Sequence, residues 1–86
     1  MVSDAITYFA IVGRGATLDE PLGLVRRLKH DNGRLDESLG EDLSWRWTPV
    51  IAEWEHDSYG NELVEVSHAQ ADKIIQYFRQ KFAADT

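Results

Sequence analysis

The chain has 86 residues, with fifteen acidic against nine basic for a formal charge of −6, 43% hydrophobic residues and no cysteine. That length supports one domain over residues 1–86 and excludes two, and size scaling lets it bury only about 64% of its open-chain surface, a thin core. The absent cysteines exclude a disulfide framework, thiolate metal sites and a cysteine nucleophile, a composition compatible with the reducing cytoplasm.

Ile6 to Val12 mixes β-branched and aromatic residues with no charge on either parity, which predicts the central strand of a small sheet, covered on both faces. The longest charge-free apolar run, Ala5 to Gly13, falls far short of the ~20 residues of a membrane span. Met1 leads into no basic segment with a cleavage site, so no signal peptide is read. Gly13 to Pro21, with two glycines, a proline and Asp19-Glu20, reads as a loop. For residues 22–28 the alternation is imperfect, and Leu24, Val25 and Leu28 also suit a helix. Gly23 and the need for a hairpin partner favour a strand.

Asn32-Gly33 marks a turn. Between Arg34 and Ser44, Leu35, Leu39 and Leu43 recur every fourth residue, which suggests a weak amphipathic helical turn interrupted by Gly40. Trp45-Arg46-Trp47 reads as a short extended piece. Thr48-Pro49 predicts a helix start, with Thr48 as N-cap and Pro49 as first helical residue, running to about His56 with Val50, Ile51 and Trp54 inward. Glu62 to Val66 is a clear strand. Ser67 and Gln70 form a capping box for a final helix striped by Ala71, Ile75, Phe78 and Phe82, with Ala83 to Thr86 as a frayed end. The predicted fold is α+β, in the order β-β-α-β-α. It has a small three-stranded, mainly antiparallel sheet with two helices on one face.

No catalytic constellation assembles from these residues. Glu53 and His56 have the spacing of a di-iron carboxylate motif, but such sites need a second motif and further carboxylates that this chain does not repeat. His30 and His68 fall at a turn and beside a cap, as surface residues do. Gly13-Arg14-Gly15 lacks the third glycine and immediate helix of a dinucleotide loop. No metal or cofactor is therefore expected. The basic run Arg26, Arg27, Lys29 stands out against an acidic chain whose charge repels phosphate backbones and disfavours nucleic acid, and it reads best as a solvated strand edge.

Trp45, Trp47 and Trp54 crowd within ten residues. Tryptophan and arginine are the residues that protein interfaces favour. The leading expectation is a cytoplasmic, non-enzymatic interaction or accessory protein that binds another protein, or itself as a homodimer, through Trp45, Arg46, Trp47 and an adjoining Arg26-Arg27 edge. The alternative is a small-ligand or catalytic pocket lined by Trp45, Trp47 and Trp54, with Arg46 or a histidine as its polar group. Third stands nucleic-acid binding through the run from Arg26 to Lys29.

The segments Tyr8 to Ile11, Gly23 to Arg27, Trp45 to Pro49 and Glu62 to Ser67 together resemble a set of short, uncharacterised actinobacterial proteins. The resemblance spans most of the chain through diffuse motifs. It implies no activity and transfers no catalytic residue.

Overall fold

The computed structural model describes residues 5–13 and 15–84. Among these residues, five strands and two helices follow in chain order: β1 (Ala5–Val12), β2 (Gly23–His30), β3 (Gly33–Leu39), β4 (Trp45–Trp47), α1 (Val50–Glu55), β5 (Glu62–Val66) and α2 (His68–Ala84). The strands form one antiparallel sheet in the order β4-β3-β2-β1-β5. The expected three-stranded sheet is thus corrected to five.

The additional strands come from the polar segment after Asn32. Asp31-Asn32 closes a tight hairpin in which His30 faces Gly33, and Leu28 pairs with Leu35. A four-residue recurrence is also a multiple of the strand period, so Leu35 and Leu39 share one face of β3 as readily as one face of a helix. Leu43 instead enters the Gly40–Ser44 loop with a left-handed φ of 63°. That loop returns the chain into β4, where Trp45 pairs with Leu39 and Trp47 with Glu37. β2 is the middle strand, so the Arg26-Arg27 segment is an interior strand and not an edge. β1 lies one place from the edge, between β2 and β5.

The helices cover opposite faces, not one. Alternation along the strands sends Tyr8, Ala10, Val12 and Leu24 to one side, where they pack with Leu39, Trp45 and Val66 under Ala71, Ile74 and Phe78 of α2. Phe9, Ile11 and Val25 point the other way, into a smaller cluster with Leu63 and with Ile51 and Trp54 of α1. The centre of the α2 stripe is Ala71, Ile74 and Phe78, with Ile75 and Phe82 flanking.

Helix starts follow the cap chemistry with one shift. The Pro49 carbonyl accepts the first helical bond, from Glu53 N at 2.9 Å, so Pro49 occupies the cap position. Thr48 Oγ1 sits one residue earlier and accepts from Val50 N at 3.3 Å. Ser67 Oγ accepts from Gln70 N at 3.1 Å, but the Gln70 amide does not return to Ser67. It donates to the Leu18 carbonyl at 3.2 Å and ties the β1–β2 loop to α2. Ala83 and Ala84 belong to α2, and the rest of the expected frayed end lies outside the described residues, as do residues 1–4. Among the described residues no helix is long and apolar enough to cross a membrane.

Candidate functional site

On the α2 side, the row Tyr8, Arg26, Glu37, Trp47 runs across β1, β2, β3 and β4 in register. Arg26 Nη2 and Nε donate to Glu37 Oε1 at 2.7 and 3.0 Å. The guanidinium carbon lies 4.0 Å from the centre of the Trp45 ring, a cation–π contact. Trp45 is half-buried against Tyr8, whose ring centre is 6.1 Å away, and Tyr8 meets the His68 ring edge-on at 5.2 Å. His68 in turn donates Nε2–H to the Ile6 carbonyl at 3.0 Å. Each side chain is held by the next, so this is a rigid floor of aromatic rings and paired charges.

Trp47 stands beside that floor and is 69% exposed. Its parity matches Trp45, yet α2 crosses toward Leu39 and leaves the outer corner of the sheet open. Leu35, 39% exposed on the same face of β3, extends the open apolar area. Arg46 points to the other side and is well exposed. Its Nη2 bonds Asp42 Oδ2 at 2.7 Å. Hydrogen bonds from the Ser44 hydroxyl and amide, and then from Arg46, hold the Asp42 carboxyl down at about 2.

Arg27 has a different position. One residue on from Arg26, it projects to the α1 face and is 6% exposed. Its Nε and Nη2 donate to Asp36 at 2.8 and 3.0 Å, and Nη1 and Nη2 donate to Glu55 of α1 at 2.9 and 3.1 Å. Asp36, directly opposite on β3, is 7% exposed, so this pair is withdrawn from water. The two carboxylates raise the guanidinium's affinity for its proton above the ordinary arginine value. Of the five residues expected at a common surface, Arg26 stacks on Trp45 and Trp47 shares their face of the sheet, Arg46 sits at the rim on the reverse side, and Arg27 fastens α1 to the sheet. Trp54 lies in the α1 cluster, so the three tryptophans do not line one pocket.

The hydrogen bond from Arg27, with the charges of Arg27, Arg34 and His56, also pulls the Glu55 carboxyl below its ordinary 4.5. A depressed folded-state value means that the contribution to stability is complete above 4.5 and is lost as the pH falls through the lowered value. In urea titrations at stepped pH, Glu55→Gln is expected to flatten the acid-side decline. An unchanged slope would separate Glu55 from acid sensitivity.

Among the described residues no three His, Asp or Glu gather as metal ligands. Glu53 lies in the first turn of α1 and His56 caps its C-terminal end, where the His56 amide bonds the Glu53 carbonyl at 3.2 Å. Arg14, of the Gly13-Arg14-Gly15 segment, lies outside the described residues. No family model, curated protein or solved structure matches this chain.

Proposed function

We propose that this chain is a non-enzymatic interaction or accessory module that docks another protein against the open corner of its sheet, with Trp47 as the anchor. The carrying observation is a tryptophan left 69% exposed beside a fully paired floor of Trp45, Arg26 and Glu37. A protruding indole on a preorganised surface is the usual chemistry of an interface hot spot, because little side-chain freedom is lost on binding. Leu35 adds apolar area, while the Arg26–Glu37 pair supplies the polar component on the same face. The reading sets the module in the cytoplasm, which a cysteine-free sequence supports.

Trp47 buries little within the chain, so Trp47→Ala is expected to shift unfolding stability by no more than about 0.5 kcal/mol. It should strip the bound partners that wild-type protein retains on an affinity column, as quantified by mass spectrometry, or abolish self-association in sedimentation. A folded Trp47→Ala protein with an unaltered partner profile and sedimentation coefficient would overturn the reading.

A further inference from the structure

The sheet is layered over only part of its width. α2 rests mainly on β1 and β2, and α1 mainly on β2 and β5. β4 lies beyond this cover at one margin of the sheet, and its Arg46 and Trp47 are exposed.

The hydrogen-bond phase of β4 follows from its two ends. The Gly40 amide donates to the Ser44 carbonyl at 2.9 Å, and the Thr48 amide donates to the Asp36 carbonyl at 3.0 Å. Bonded pairs in an antiparallel ladder recur at every second residue, so Ser44, Arg46 and Thr48 turn their backbone groups toward β3. Trp45 and Trp47 turn theirs outward, and among the described residues no loop or side chain bonds to them. The margin thus offers two amides and two carbonyls in the order that an antiparallel copy of itself presents. With Arg46 on a twofold axis, Trp45 of one chain pairs with the partner's Trp47 and exchanges both N–H···O=C bonds with it.

The side chains suit the same register. Trp45 and Trp47 share the α2 face, so each exposed Trp47 lies across the seam from the stack of Arg26 on Trp45 in the other copy. On the reverse face the two Arg46 side chains meet, each already bonded to its own Asp42 at 2.7 Å, which mutes their repulsion. The other margin is guarded: β5 carries exposed Glu62 and Glu65 with no basic residue in the strand, so pairing two copies there would gather carboxylates at the seam. We propose that two copies of this chain join β4 to β4 about a twofold axis at Arg46, forming one continuous sheet with each Trp47 seated against the partner's Trp45. This rests on the reading of Trp47 as a docking anchor and names its partner. A strand of three residues per chain makes a small interface, so the dimer is weak and concentration-dependent.

A position that faces itself can be trapped covalently. The chain has no cysteine, so Arg46→Cys supplies a single thiol per copy. Opposed residues of a non-bonded antiparallel pair lie about 4.5 Å apart at Cα, within the span of a disulfide. Sedimentation velocity of the wild-type chain at rising concentration is expected to show a monomer–dimer equilibrium, and Trp47→Ala to remain monomeric. In glutathione buffer Arg46→Cys should form disulfide-linked dimer at least about tenfold faster than Glu65→Cys, an exposed thiol on β5, and adding Trp47→Ala should remove that advantage. A wild-type chain that stays monomeric throughout, or equal cross-linking at positions 46 and 65, would overturn the second copy as partner. Trp47 as an anchor falls only if Trp47→Ala also leaves the affinity-column partners unaltered, so the two failures are read apart.

Discussion

Arg27→Met is expected to destabilise the protein more than any other single substitution considered, by about 3–5 kcal/mol. Methionine keeps much of the stem volume but leaves Asp36, 7% exposed, as a charge with no partner in a dry setting. It also cuts the guanidinium's two hydrogen bonds to Glu55. A domain of this size has about 4–13 kcal/mol to lose. The single variant should therefore unfold at far lower urea concentration, or fail to fold at 25 °C. Arg27→Met combined with Asp36→Leu separates burial of an orphan charge from loss of an attractive pair, because removing both partners of a buried pair is often neutral or stabilising. The double variant should recover most of the urea midpoint. A single variant within about 1 kcal/mol of wild type would refute the assignment of Arg27 as the fastener of α1.

Ile51→Ala is expected to cost about 2–5 kcal/mol by transfer and cavity terms. Ile51 is fully buried and α1 has only six residues, too few to hold helical form without the sheet beneath it. Hydrogen exchange provides the sharper readout. Amides of α1 should lose protection well before those of α2, whose cluster of Ala10, Leu24, Ile74 and Phe78 lies on the opposite face. Equal loss of protection in both helices would mean that the two clusters melt as one unit.

Much of this architecture was legible in the residues. Glu62 to Val66, the Ser67-capped helix and the extended Trp45–Trp47 piece stand where propensity and capping put them. Two signals were readable but conflicted with the assembled fold. β1 is apolar on both parities, which demands a cover on each face and is incompatible with two helices on one. The leucine spacing after Gly33 fits periods of two and of nearly four, and only the tight turn at Asp31-Asn32 decides between them. Once that hairpin is recognised, the pairs Arg26–Glu37 and Arg27–Asp36 follow, since they are equidistant from the turn and opposite in charge. The parity that brings Trp45, Trp47 and Arg26 to one side was equally legible. The seat of Arg27 beneath α1 was not, because Glu55 reaches it from 28 residues away in the sequence.

The order of elements along the chain has a consequence for synthesis on the ribosome. β1, β2 and β3 emerge first and can zip into a meander, but Phe9, Ile11 and Val25 on one side and Tyr8, Ala10 and Leu24 on the other await covers encoded after residue 49. A nascent chain halted near the β4 codons would thus display two greasy surfaces at once, the condition in which chaperones engage and intermolecular stacking begins. Of these elements α2 is the last cover to arrive, so its emergence from the exit tunnel, rather than hairpin formation, sets when this sheet becomes safe among its neighbours.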